Sequence, residues 1–165
     1  MYVQMCAVAA DGRTRPGGFV VIRLVKIWGR LSPQQKRLTA EAALYLLWSR
    51  LAFGVLPFPV ALRVIGCRPG EAQSGGDIAE AQAREIAAAI ARCARHVPFR
   101  AVCLQQAFAS LLMLRRRGLA GAVHFGVRRD SESLLAAHAW SLSGDIPVTG
   151  HAVAAGFARI AVFTA

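Results

Sequence analysis

Two side chains in this chain suit covalent catalysis and stand where such chemistry needs them. Cys103 heads the apolar run VCLQQAFASLLMLRRRG (102–118), and His138 lies further on in AAHAWSLSGD. A thiol at the start of a helix sits at the positive end of the helix dipole, where backbone N–H groups lacking intrahelical acceptors stabilise the thiolate. A histidine held across from it takes the thiol proton and later returns one to a leaving amine, so the pair implies attack on a peptide carbonyl. The competing reading is that cysteine is among the most buried residue types and simply fills a core. Cys67, in a linker, and Cys93, within a helix, are read that way.

Further groups could complete such a site. Asp145, in the turn SGD, is the nearest acid after His138 and orients the imidazole if the turn folds back. Asp and Gly are also ordinary hairpin-turn residues, so a purely structural role competes, with a backbone carbonyl or another side chain then orienting His138. An oxyanion needs donors, which the Cys103 N–H and the Gln106 side chain are placed to supply; the competing reading of Gln106 is a solvent or interface residue. Trp140 shares a strand face with His138 and either walls the site against water or belongs to the core. His96, His124 and His151 read as surface or packing histidines. Cys6, Cys67, Cys93 and Cys103 show no C-x-x-C pair and no regular spacing, so no metal, no other cofactor and no disulfide framework is expected.

The elements that must position these residues are marked locally. Ser32-Pro33-Gln34 offers an N-cap and a proline at the first helical position, predicting a long helix from Pro33 with Leu38, Ala42, Tyr45, Leu46 and Ser49 at helical spacing. LPFP ends it, and a short second helix is expected over 58–66. GCRPGEAQSGGD (66–77) reads as a linker, after which Asp77 caps an alanine-rich helix stopped by Pro98, its inner face drawn through Ile78, Ala81, Ile86, Ile90 and Cys93. The Cys103 helix runs through Leu114, carries Arg115, Arg116 and Arg117 in its last turn, and ends at Gly118. GAVHFGVRR, AAHAWSLS, IPVTG and ARIAVFTA then alternate as short strands. Helices followed by strands predict an α+β fold with a small antiparallel sheet. The organisation expected is a variable lead-in over 1–18, a helical N-terminal subdomain over 19–70 and a catalytic core over 71–165.

Twenty Lys and Arg against nine acids give a formal charge of +11, which implies an acidic partner or surface. No zinc-finger spacing, aromatic RNA-binding strand motif or lysine-rich tail is present, so nucleic acid is not the expected partner, although a basic module binding nucleic acid or anionic membrane stands as a rival reading. The arginines at 115–117, with Arg128 and Arg129, read as a solvated helix end, against a docking surface for an acidic partner. The apolar stretch 38–66 is interrupted by Glu41, Arg50, Pro57 and Pro59 and is not a membrane span, while association with a membrane surface stays open. No secretory leader is recognisable, and a cytoplasmic location is expected.

Taken together, VPFRAVCLQQAFASLLMLRRRG, AVHFGVRR and AHAWSLSGDIPVTG, in that order, closely resemble the transglutaminase-like cysteine leader peptidases of lasso-peptide biosynthesis, the B proteins. LSPQQKRLTAEAALYLLWSRLAFGVLPF is similar to their N-terminal helical region, so the resemblance covers roughly residues 24–163. It implies a papain-like arrangement with Cys103 as nucleophile and His138 as base and then acid, removing the leader of a lasso precursor peptide. It further implies an ATP-dependent, asparagine-synthetase-like cyclase acting next. With only a short stretch before the first long helix, a separate leader-recognition protein is expected to deliver the precursor. The family's third member, an acid about a dozen residues after the histidine, falls here on Gly150. A non-catalytic member that only chaperones precursor to the cyclase is therefore the rival within the same fold.

Overall fold

In the computed structural model, which describes residues 4–5, 28–70, 77–129 and 135–165, Ser32 and Gln35 cap the first long helix reciprocally. Ser32 Oγ accepts the Gln35 N–H at 3.2 Å, and Gln35 Oε1 accepts the Ser32 N–H at 3.1 Å. Two of the donors that a helix start leaves unpaired are thereby satisfied. This helix, α1 (Pro33–Val55), buries Leu38, Ala42, Leu46 and Ser49 as the spacing predicts, and ends where Pro57 cannot continue it. Next come α2 (Phe58–Ile65), α3 (Asp77–Ala94) and α4 (Cys103–Arg116). In α3 the buried face runs through Ala83, Ile86, Ala89, Ile90 and Cys93, whereas Ala81 is exposed. Ala81, expected on the inner face, lies outside it. The side chains of Asp77 and Ile78, and the segments 6–27, 71–76 and 130–134, lie outside the described residues.

At its far end α4 stops as the sequence predicts. Gly118 takes a left-handed φ of 66°, which lets its N–H reach the Arg115 carbonyl at 2.9 Å and the Leu119 N–H reach the Leu114 carbonyl at 3.0 Å. The arginines before it are not simply a solvated end. Arg117 donates to both Glu41 oxygens, at 3.0 and 2.7 Å, and Arg115 donates to the Ile65 carbonyl at 3.2 Å. They moor α4 to α1 and to the C-terminus of α2.

The strands are β1 (Gln4–Met5), β2 (Arg68–Pro69), β3 (Ala122–Arg129), β4 (Leu135–Ser143), β5 (Ile146–Thr149) and β6 (Ala158–Thr164), with a 3-10 helix (His151–Gly156) between the last two. The sheet order is β1-β4-β3-β6-β2, with β5 also on β4. All pairings are antiparallel except β1 with β4. The α+β, helices-then-sheet architecture is thus the one expected. Two strands went unread: Gln4–Met5, inside the presumed lead-in, and Arg68–Pro69, inside the presumed linker.

Helix α4 packs against both the other helices and the sheet, and α2 and α3 also touch strands directly, through Phe58 against Phe125 and through Val148 of β5. Ala109, Met113 and Leu114 join Leu38, Ala42 and Leu46 of α1 with Ile86 and Ile90 of α3 in one core. Cys103, Leu104, Phe108 and Leu111 join Ala61, Leu62 and Ile65 of α2 with Val123 of β3 and Ala139 of β4 in a second. A third, smaller cluster on the opposite sheet face holds Ala136, Trp140, Ala154 and Phe157.

Candidate active site

Cys103 is the first residue of α4 and is buried, at 9 % exposure. Ahead of it the chain is extended at Val102, whose N–H donates to Gln105 Oε1 at 2.8 Å. The Gln106 amide donates to the Ala101 carbonyl at 2.7 Å, so both glutamines brace the helix entry. Gln106, named as an oxyanion donor, is held in that bond. The first intrahelical bond at this end is from the Gln106 N–H to the Val102 carbonyl. The N–H groups of the first turn and the dipole behind them therefore act at Cys103.

His138 sits in the middle of β4, at 1 % exposure. Its Nε2 lies 2.7 Å from the Gly150 carbonyl oxygen. A carbonyl only accepts, so the ring proton is on Nε2 and, in the neutral ring, the lone pair is on Nδ1. Nδ1 is buried and has no hydrogen-bond partner among the described residues. Gly150 is fitted to this contact. Its φ is +68°, and a Cβ there would stand 2.8 Å from the Ala139 carbonyl oxygen and 3.1 Å from His138 Nε2.

Strand alternation sets what surrounds the ring. His138 stands with Trp140, 6.0 Å between ring centroids, and with Phe157 at 5.2 Å. Trp140 in turn stacks on His124 at 5.6 Å. Trp140 is thus both core, as a member of the third cluster, and one wall of the histidine. Ala139 and Ser141 face the other way, toward α4. Cys103 belongs to the cluster on that helix side, and no hydrogen bond joins its thiol to His138 Nδ1. Among the described residues, pairing along one edge of β4 is interrupted. Away from β3, the strand pairs with β1 at Ala136–Ala137 and with β5 from Ser141 to Ser143, and with no described strand in between.

Asp145 is an exposed residue of the turn between β4 and β5. The hydrogen bond that orients His138 comes instead from the Gly150 backbone, the position at which the resemblance sought an acid. Sequence reasoning named Gly150 as a gap and had no way to see its carbonyl, because a backbone acceptor has no residue signature.

A buried hydroxyl chain was also missed. Ser110 Oγ of α4 is 2.7 Å from the Ala107 carbonyl oxygen and 2.6 Å from Ser141 Oγ of β4, which is 2.8 Å from Thr149 Oγ1 of β5. Ser110 offers its one proton to the Ala107 carbonyl and to Ser141 Oγ, and between Ser141 and Thr149 either hydroxyl can donate. The hydroxyl chain ties the cysteine helix to the histidine strand and to the residue before Gly150.

The other described cysteines, Cys67 and Cys93, differ from a nucleophile's setting. Burial pushes the Cys67 thiol up to about 11, outweighing the opposing pull of Arg115. Burial likewise lifts Cys93 to about 11 against Arg92. Among the described residues no three His, Cys, Asp or Glu side chains are grouped to hold a metal.

The model of the transglutaminase-like superfamily matches residues 46–162, which takes in the C-terminal part of α1, all of α2, α3 and α4, and the strands from β2 to most of β6. The chain belongs to the transglutaminase-like superfamily. No curated protein and no solved structure is similar enough to match it. Transglutaminase-like domains are typically those of cysteine peptidases and acyltransferases, a chemistry compatible with a thiol at a helix start and a tautomer-fixed histidine on the adjacent sheet.

Proposed function

We propose that this transglutaminase-like protein is a cysteine peptidase that removes the leader from a ribosomally made lasso precursor peptide. One observation carries the catalytic part: the Gly150 carbonyl holds the proton of His138 on Nε2 and leaves buried Nδ1 as the base. The reading requires the Cys103 thiol to come within reach of Nδ1 when substrate binds; in unliganded enzymes such bonds are often long and tighten with substrate.

The thiol proton passes to Nδ1 and the Cys103 sulfur bonds to the scissile carbonyl carbon, placing negative charge on the carbonyl oxygen beside the first turn of α4. Collapse breaks the C–N bond. His138 returns the proton to the amine, and the leader remains as a thioester. Water, deprotonated by His138, then releases the leader acid and restores the thiol. An amine in place of water would give transamidation by the same route.

The lasso assignment rests on the ordered motifs around Cys103 and His138. It brings with it a separate leader-recognition protein and an ATP-dependent cyclase as partners. One feature favours a second reading, a non-catalytic chaperone of the precursor: no carboxylate contacts His138 among the described residues. Incubating precursor and recognition protein with wild type and with C103A separates the two. The peptidase reading predicts a new core-peptide N-terminus with wild type alone, whereas intact precursor with both proteins supports the chaperone.

A further inference from the structure

Most of the large apolar side chains left exposed among the described residues lie on α1 and α2. On α1 they are Leu44, Leu47, Trp48, Leu51 and Val55, whose spacing draws one stripe along the side opposite the buried Leu38, Ala42, Leu46 and Ser49. Phe58 and Val64 extend it onto α2. Exposure is large, from 42 % at Phe58 to 77 % at Val55, and on α1 the five side chains share one side of the helix.

The charges on these two helices have one sign. Lys36, Arg37, Arg50 and Arg63 are the cations, and the one acid, Glu41, is turned inward and used by Arg117. An occupant must therefore present apolar matter beneath negative charge. A second copy brings the same cations into a self-complementary contact at +11 per chain and is disfavoured. The chain's own segment 6–27 is no better matched, since it carries Arg13, Arg15, Arg23 and Lys26 against Asp11 alone.

We infer that the α1–α2 face is a docking surface for an anionic lipid bilayer. A bilayer supplies headgroup charge to the flanking Arg and Lys, acyl-chain boundary to the Leu and Val stripe, and the interfacial zone that Trp48 prefers. The contact is peripheral. Among the described residues no helix is long and apolar enough to cross a membrane. The inference does not depend on the peptidase reading, because it uses none of the residues around Cys103 or His138.

The test is sedimentation of the full chain with vesicles of phosphatidylglycerol and phosphatidylcholine, beside vesicles of phosphatidylcholine alone, at physiological ionic strength. Wild type is expected to bind the anionic vesicles and not the neutral ones. The double variant W48E/L51E alters only exposed positions, so it keeps the wild-type circular dichroism and melting temperature while losing about tenfold or more in bound fraction. R50E/R63E weakens binding, as does added salt. Three results overturn the inference: no binding of wild type to anionic vesicles, binding untouched by W48E/L51E, or a wild-type dimer in light scattering that W48E/L51E splits.

Discussion

A carbonyl on His138 Nε2 fixes the tautomer but brings only a partial negative charge to steady the imidazolium that forms when Cys103 loses its proton. D145N is accordingly expected to cleave precursor within about twofold of wild type, since Asp145 is an exposed turn residue rather than the histidine's partner. G150A should be far more damaging. Its Cβ would strike the Ala139 carbonyl and crowd His138 Nε2 in a left-handed backbone, costing about 1–3 kcal/mol and lowering turnover. Thermal melts and initial rates on the same preparation read both effects. Alkylation at pH 7.5 should mark Cys103 before Cys67 and Cys93, whose pKa of about 11 reduces their thiolate about 100-fold relative to an ordinary thiol. Peptide mapping of partly alkylated protein checks the order. Cysteine type and helix position were legible at this scale because both are written locally. The Gly150 carbonyl and the Ser110–Ser141–Thr149 chain were not, because they exist only after distant segments meet.

At the scale of elements, the caps carried most of what could be read. Ser32 with Gln35 and Gly118 after the arginines each act within a few residues, so their chemistry is visible before folding. The link from Arg117 to Glu41 spans α4 and α1 and leaves no such trace. It is bidentate and mostly buried, which makes it worth more than a surface pair. R117A should therefore destabilise the chain by about 1–3 kcal/mol, and E41A by a similar amount. In a double-mutant cycle by urea unfolding the two effects should fall short of adding, which independent helix-end and surface roles would not produce. T149V tests the hydroxyl chain in the same way, with a loss of about 1–2 kcal/mol from the removed Thr149–Ser141 bond. The strands β1 and β2, two residues each, are too short to show a period and were invisible for that reason.

For the whole molecule, the sequence order of helices and then strands sufficed for the α+β fold, because short apolar runs set off by turn residues follow helices bounded by breakers. Composition pointed to an acidic counterpart, and the structure localises where apolar and basic character coincide, on α1 and α2. The buried thiols set a pH dependence. Cys67 and Cys93 have folded values near 11 against an ordinary thiol's 9.0, so their contribution is complete below pH 9 and is lost as pH rises through 11. The melting temperature should fall over that window, with a shallower slope in C67A/C93A.

The central claim is that Cys103 forms the acyl-enzyme. Its most direct test is the intact mass of the protein quenched in acid during turnover of a lasso precursor with the recognition protein present. The account predicts a wild-type species heavier by the leader, lost on hydroxylamine treatment as a thioester is, and no such species or cleavage with C103A. Cleavage by C103A, or no cleavage by wild type, would contradict it.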